Sequence, residues 1–347
     1  MATEDDLEVT ELDGDVAGDG DGEIADDYRF IENQKELVAL QRLDDRCTQL
    51  QQEGKYTEAL ECMEKGLVLR QHFFGADSEE VWSSCKTVGE MCNLLAMTYL
   101  QQEEFPIVLE LLKKAEILTE KFPTGRAVTL NNFACYYRRQ GNLHKSLTYL
   151  TEALKIEAKL DNIPNKADTH LNMCAVLSQL GKHQSALQHA QSALIFLHEE
   201  LQLGGATNQG GHGDHIDASK LDRVAVLGIA YHNVGVEQEF LKCWDLSLQS
   251  YKKGVEITSR YLGDSHGIVI TLQNSLLTAK RAMVGHGRSH GAKGDGITPA
   301  KGGVQKAPAR LAQLKATLRS SFGKKKPLAA PTKLPKIKSH TRIATDG

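Results

Sequence analysis

The strongest constraint on the fold of this chain is an internal repeat in its middle. The phrases LNNFACYYRRQGNLHKSLTYLTEAL at 130–154 and LNMCAVLSQLGKHQSALQHAQSAL at 171–194 carry the same residue types at the same offsets, about 40 residues apart. Small residues in each half let two antiparallel helices approach closely, while large apolar residues three and four apart fill the seam. A glycine follows the first half, where a left-handed backbone ends a helix most easily. The repeat therefore predicts a row of stacked helix pairs.

Five such units align along the body of the chain. Their landmark residues are Gly54, Tyr56, Ala59 and Gly66; Leu95, Ala96, Tyr99, Leu112 and Ala115; Gly141, Leu143, Ser146, Leu150 and Ala153; Gly181, Ala186, Ala190 and Ala193; and Val234, Gly235, Trp244, Tyr251 and Gly254. A last helix at about 265–284 has no following partner in this pattern. We expect it to cap the open end of the stack.

These phrases resemble tetratricopeptide repeats, and their spacing is closest to the longer repeats of kinesin light chains. Segments 73–100 and 261–280 are similar to the linker and first helix of that family, in which Leu-Gly-x-Asp/Glu-His-Pro leads into Leu-Asn-Asn-Leu-Ala. Here the proline is absent from both segments, and the histidine is present only as His266. The resemblance covers residues 36–284. It implies an all-α fold, a right-handed superhelical solenoid of helix-turn-helix repeats, and composition adds the expectation of disordered termini.

The two ends of the chain carry opposite charge. Residues 1–27 contain twelve Asp and Glu and no Lys or Arg, whereas residues 285–347 contain fourteen Lys and Arg against two Asp. Neither end offers enough apolar surface to offset the entropy of ordering it. We therefore predict an acidic disordered head at 1–27, a solenoid at 36–284, and a basic disordered tail at 285–347.

One stretch of the body, residues 201–220, interrupts the repeat. It is rich in glycine and histidine and increases the spacing between units to about 61 residues. A long loop explains this, because solenoids accept insertions between helices at little cost. His212, Asp214 and His215 could ligate a metal, but a glycine-rich loop lacks the fixed geometry of a metal site. We expect no metal or other cofactor.

Asparagines recur at one position of the predicted first helices, which line the concave face of such arrays. Asn132, Asn172 and Asn233 occupy the sixth position, and Asn93 and Asn131 lie one position earlier. A carboxamide has an acceptor and two donors, so a row of them can bind the backbone of an extended peptide. The resemblance also implies this role. The alternative is that the asparagines bond to neighbouring helices and stabilise the stack.

Two arginines follow the asparagines of the third unit. Arg138 and Arg139 come directly after Tyr136 and Tyr137 and could bind an acidic partner on the inner surface. The alternative is a solvated helix end, where basic residues complement the helix dipole. The full residue set of the clamp that binds the acidic C-terminal tails of chaperones cannot be placed here. A chaperone cofactor therefore stays an alternative function.

The sequence carries no sign of catalysis. It has no GxGxxG after a strand, no GxxxxGK[ST], no GxSxG and no HExxH. The helical histidines fall where hydrogen-bonded or exposed side chains are commoner than bases; they are His144, His170, His183, His189 and His232. The seven cysteines are scattered without a CxxC pair, which favours reduced thiols in the core. With no signal peptide and no membrane span, we expect a cytoplasmic protein that is not an enzyme.

The basic tail suggests a second interaction. Residues 309–342 contain an Ala-Leu-rich segment that could form an amphipathic helix, followed by Lys-Pro clusters. Such a tail can bind a polyanion: a microtubule surface, acidic lipid, nucleic acid or the acidic head. Lys324, Lys325 and Lys326 could instead be a localisation signal. Nucleic acid is disfavoured, because no aromatic residues are interleaved with the charge.

We therefore predict an adaptor that binds a protein segment on its concave face and is tethered by its tail to cytoskeletal or ciliary structures. The alternatives are a chaperone cofactor and a structural subunit of a large assembly.

Overall fold

A computed structural model describes residues 20–160, 166–206 and 218–289. That part of the chain holds eleven α-helices and no strand, which confirms the all-α class. The helices are α1 (Gly20–Gln52), α2 (Tyr56–Phe74), α3 (Glu79–Gln101), α4 (Phe105–Leu118), α5 (Pro123–Arg139), α6 (Leu143–Glu157), α7 (Lys166–Gln179), α8 (His183–Ala206), α9 (Ala218–Phe240), α10 (Trp244–Leu262) and α11 (Gly267–Ser289).

The chain divides into two compact units, Met1–Ser84 and Cys85–Gly347. In the first unit α1 packs against α2. Their contact contains a small core of Cys47, Leu50 and Ala59. A hydrogen-bonded ion pair joins the same helices, because Arg70 Nη2 donates to Asp44 Oδ2 at 2.6 Å.

The second unit is a stack of helix pairs. α5 packs on α6, α7 on α8 and α9 on α10, while α6–α7 and α8–α9 contacts join consecutive pairs. One core cluster is shared by α5, α6 and α7 through Ala134, Leu150 and Val176. Another extends from α7 to α11 and includes Leu227 and Leu272. Each pair therefore completes its core only with its neighbours, as in a tetratricopeptide solenoid.

The turns inside the helix pairs share one backbone conformation. Gly141 and Gly181 have φ of 81° and 72°, in the left-handed region that favours glycine. The equivalent turns after α3 and α9 contain Glu103 and Lys242 instead, with φ of 65° and 62°. The turn geometry is therefore kept where the glycine is absent.

Close helix contact in the last pair depends on a second kind of glycine. Gly235 on α9 lies under the ring of Tyr251 on α10, where a Cβ would collide with the ring carbons. Tyr251 is almost fully buried, and its hydroxyl donates to Glu239 Oε1 at 2.9 Å. A small residue on the first helix thus makes room for a large one on the second.

Several helix ends differ from the boundaries expected from composition. α1 begins at Gly20, inside the acidic segment 1–27, and α11 continues to Ser289, into the basic segment. α8 extends to Ala206 and α9 begins at Ala218, so only 207–217 of the predicted loop, with His212, Asp214 and His215, lie outside the described residues. Composition averages over a whole segment, whereas a helix end depends on local backbone bonding.

The cysteines are all free thiols. Cys47, Cys92, Cys135 and Cys174 are buried, while Cys243 is exposed. In the described ranges, no helix is both long and apolar enough to cross a bilayer.

Candidate functional site

The predicted asparagines of α3 and α5 meet in the interior of the second compact unit, the one that begins at Cys85. Asn132 Nδ2 donates to Asn93 Oδ1 at 2.9 Å, and Asn93 Nδ2 donates to Thr129 Oγ1 at 2.9 Å. Asn93 and Asn132 are only 6% and 7% exposed. Because a bound peptide could not reach them, these two carboxamides hold one first helix to the next.

The same hydrogen-bond network reaches the end of α4. Thr129 Oγ1 donates to the backbone oxygen of Gly125 at 3.0 Å and lies 3.2 Å from Thr119 Oγ1. Thr119 Oγ1 donates to Ala115 O at 2.7 Å. Buried polar atoms of three helices are satisfied by one another, which is the condition for a polar network to stabilise a core.

A second asparagine pair repeats this register one unit later but is more accessible. Asn172 Nδ2 on α7 donates to Asn131 Oδ1 on α5 at 3.1 Å, and both residues are half-buried. Within the described part of the chain, no further side-chain hydrogen bond involves either carboxamide. Asn131 Nδ2 and Asn172 Oδ1 therefore stay available, as one donor and one acceptor.

The register of asparagine pairs stops before α9. In each pair the asparagine at the fifth position of one first helix accepts a hydrogen bond from the asparagine at the sixth position of the next. The fifth position of α7 is instead the apolar Leu171, which cannot accept one from α9. Asn233 at the sixth position of α9 is half-buried, and among the described residues its carboxamide makes no hydrogen bond. A polar contact returns beyond it, where His232 Nε2 lies 3.1 Å from Ser275 Oγ of α11.

The two predicted arginines have different surroundings. Arg139 Nη2 donates to Leu100 O at 3.3 Å, and its Nη1 lies 3.7 Å from Glu103 Oε1, so this side chain is bound to the preceding turn. Arg138 is half-buried, lies beside Cys135, and has no ion-pair partner in the described ranges. Its Nε is buried without a hydrogen bond. Arg138 is two helical turns after Asn131 and shares its face of α5.

The junction between α7, α8 and α9 is held by ion pairs that the repeat pattern did not predict. Arg223 Nη1 donates to Asp168 Oδ2 at 3.0 Å, and its Nη2 donates to Glu200 Oε2 at 2.7 Å. Burial raises the pKa of Asp168, and Arg223 opposes that rise. The one available signal was the presence of charged residues on neighbouring helices, which does not identify partners.

A second such contact joins the start of α8 to α9. His183 Nδ1 lies 2.8 Å from Glu237 Oε2, and Glu237 is 2% exposed. Burial raises the pKa of Glu237, while hydrogen bonds from Ser178 and His183 counteract the rise. The His183 ring also stacks on Phe240, with centroids 4.1 Å apart. These contacts replace the missing asparagine pair at this junction.

Two histidines of the fourth repeat, on α7 and α8, share a hydrogen bond. His170 Nδ1 and His189 Nδ1 are 2.9 Å apart, so only one of them can carry the proton between them. Burial, with His189 nearby, lowers the pKa of His170 to about 4. Burial also lowers the pKa of His189. Both rings are therefore neutral at physiological pH, and they join α7 to α8.

The described residues contain no group of three or more His, Cys, Asp and Glu side chains arranged to hold a metal. Among the predicted site residues, those with accessible polar groups in the described part of the chain are Asn131, Asn172 and Asn233, which offer carboxamides, and Arg138, which offers a guanidinium.

Comparison with known proteins supports the assignment of the repeat. Residues 125–197, which cover most of α5 to α8, match the family model "Tetratricopeptide repeat". No curated protein sequence matches the chain.

Several solved structures are similar in fold. BtubC (BKLC) from P. vanneervenii is 17% identical over 73% of this chain and 97% of that one, with a TM-score of 0.45. Putative kinesin light chain TPR-like repeats from Podosopora anserina are 16% identical over 65% and 97%, with a TM-score of 0.39. The Sgt2 TPR domain from Aspergillus fumigatus is 17% identical over 52% and 93%, with a TM-score of 0.33. At these TM-scores the likenesses have no bearing on partners. The family match and the stacked helix pairs show that residues 125–197 form tetratricopeptide repeats.

Proposed function

We propose that the chain is a non-enzymatic interaction scaffold that binds an extended segment of a partner protein. The binding surface is the first-helix face, which is the face formed by α5 and α7, the first helices of two consecutive pairs. The observation that carries this proposal is the difference between the two asparagine pairs. Asn93 and Asn132 are buried and hydrogen-bonded, whereas Asn131 and Asn172 are half-buried and each keep a free hydrogen-bonding group.

The free groups of the second pair match the backbone of an extended peptide. Asn131 Nδ2 can donate to a peptide carbonyl, and Asn172 Oδ1 can accept from a peptide N–H. Such contacts hold a backbone without selecting its side chains. The existing Asn172–Asn131 hydrogen bond restricts both side chains before binding, which reduces the entropy lost on binding.

Arg138 would add selectivity for an acidic side chain. Its guanidinium has no ion-pair partner in the described ranges and lies on the same face of α5 as Asn131. A carboxylate can accept two parallel hydrogen bonds from a guanidinium. Asn93, Asn132 and Arg139 serve the proposed site indirectly, by positioning the helices that form it.

The test is capture of partners from cell extract by the full-length chain, with identified segments then measured by calorimetry. We expect Asn131→Ala with Asn172→Ala to weaken binding at least about tenfold, since two hydrogen bonds are lost. The matched control is Asn274→Ala, at an exposed position of α11. Circular dichroism must show unchanged helix content in both. Unchanged affinity of the double variant would contradict the proposed site.

The tail gives this proposal its second part, a tether to a cytoskeletal or ciliary polyanion. It rests on the fourteen Lys and Arg of residues 285–347. Replacement of Lys324, Lys325 and Lys326 with Gln in the full chain should reduce co-sedimentation with microtubules, and added salt should do the same. Salt-independent sedimentation would contradict the tether.

Capture of short acidic C-terminal peptides would favour the chaperone-cofactor alternative, and co-fractionation without peptide binding would favour a structural subunit.

A further inference from the structure

The last described helix, α11, is covered on one side only. Its buried residues pack on α9 and α10; they are Ile268, Val269, Leu272 and Ala279. On the opposite side Ile270 and Leu277 are 44% and 51% exposed. These two residues are seven apart, which places them on one stripe about 10 Å long.

The preceding first helix shows how such a helix is covered in mid-array. α9 contacts α7, α8, α10 and α11, and eleven of its 23 residues are buried. α11 contacts only α9 and α10 among the described helices. The Ile270–Leu277 stripe is therefore where a following helix would pack.

The tail contains one segment with the pattern of such a helix. Residues 308–323 read PARLAQLKATLRSSFG. Proline is favoured in the first turn of a helix and glycine just after its end. The large apolar residues between them recur three, four and seven apart on a single stripe; they are Leu311, Leu314, Leu318 and Phe322.

The connection is long enough for this segment to return to α11. Eighteen residues, 290–307, separate the end of α11 from Pro308. A flexible chain of that length has a root-mean-square span of roughly 24 Å, against about 34 Å for the whole of α11. Only the C-terminal half of α11 must be reached for an antiparallel helix to begin.

We propose that residues 308–322 form a twelfth helix that packs antiparallel on the Ile270–Leu277 stripe of the same molecule. Leu311 and Leu318 have the same seven-residue spacing as Ile270 and Leu277, so the two stripes match in length. The added helix completes the pair that α11 begins. It also removes the exposed apolar stripe at the end of the array, where a second chain would otherwise stack.

The contact is apolar and opposed by charge. Lys280 and Arg281 are exposed on α11, and the segment itself carries Arg310, Lys315 and Arg319. Salt screens like charges and leaves apolar burial intact. Docking therefore strengthens as salt is added, whereas the proposed polyanion tether weakens. The two ideas fail independently of each other.

The test is hydrogen–deuterium exchange of the full-length chain at low and moderate salt. Amides of residues 311–322 should exchange at least about tenfold more slowly than unstructured amides, with the larger effect at moderate salt. Ile270→Asp with Leu277→Asp should abolish this protection. The matched control is Ile117→Asp with Ile195→Asp, at positions 59% and 57% exposed on other helices, which should keep it.

Two outcomes would overturn the proposal. The first is unprotected exchange of residues 311–322 in the unmodified chain, or protection that survives the Ile270 and Leu277 replacements while α9 and α10 remain protected. The second is protection that rises with protein concentration, which would mean docking to a second copy. A photo-crosslinker at position 277 gives an independent check, since it should join residues 308–322 within one molecule.

Discussion

Replacement of Asn132 with Ala separates a structural role of the asparagines from a binding role. In the folded chain Asn132 Nδ2 donates to Asn93 Oδ1 at 2.9 Å, in a site where both residues are buried. Alanine removes the donor and leaves the Asn93 oxygen without it, and the closed packing leaves little access for water.

The expected loss of stability follows from that geometry. A buried polar group deprived of its partner costs about 1–3 kcal/mol. Alanine gains back about 0.5 kcal/mol or slightly more over asparagine in helix propensity. We therefore expect Asn132→Ala to lower the free energy of unfolding by about 1–2 kcal/mol. Asn172→Ala gains the same propensity but exposes its partner to water, so its net effect should be near zero.

Urea denaturation followed by circular dichroism measures both variants. The midpoint should fall for Asn132→Ala with an unchanged slope, and stay within error for Asn172→Ala. A double-mutant cycle of Asn132→Ala and Asn93→Ala should give a coupling free energy of about 1 kcal/mol, because either single replacement already breaks the shared hydrogen bond. Peptide capture should show the opposite: Asn172→Ala should weaken it more than Asn132→Ala does.

The reasoning would be refuted by a stable Asn132→Ala variant that no longer captures its partner. That result would place Asn132 in the binding face in spite of its burial. Equal losses of stability for Asn132→Ala and Asn172→Ala would equally contradict the distinction between the buried and half-buried pairs.

Three further predictions concern the turns, the closest helix contact and the histidine pair. Both Lys242 and Gly141 have left-handed φ, which favours glycine. In urea titrations Lys242→Gly should therefore raise the free energy of unfolding by about 1 kcal/mol, and Gly141→Ala should lower it by a similar amount. Effects of the same sign would contradict this. Gly235→Ala should cost about 3 kcal/mol and lower the melting temperature, since its Cβ would collide with a buried tyrosine ring; unchanged melting would refute the contact. Burial and His189 lower the pKa of His170 to about 4, so the unfolded chain binds more protons between pH about 6.5 and 4, and stability should fall as the pH falls through that window. His170→Gln should flatten the thermal stability profile there, and an unaltered profile would assign the dependence to other groups.

The repeat architecture could be predicted from the sequence because it depends on periodic residue types. Small residues such as Ala134 and Cys174, which are buried where consecutive helices meet, recur at a fixed offset from a turn glycine. Both the all-α class and the tetratricopeptide resemblance are confirmed. The turns at Glu103 and Lys242 were less evident, since their left-handed backbone is imposed by the flanking helices and not by a glycine.

The candidate site could be predicted only as a set of asparagines, not as two kinds of pair. The sixth-position pattern treats Asn132, Asn172 and Asn233 alike. Their environments differ because neighbouring helices supply different partners: a buried Asn93, a half-buried Asn131 and an apolar Leu171. A partner about 40 residues away cannot be identified from one helix alone.

The sequence by itself determined the helix pairs and their order, because hydrophobic periodicity and small-residue spacing act within one or two repeats. Only the tertiary structure decided which polar side chains are used internally and which stay available. Arg223 meets Asp168 and Glu200 from the far side of the interruption at 201–220, and Glu237 is buried against His183. Such contacts depend on the relative positions of whole helices, which are set by the sum of many packing interactions and not by a local motif.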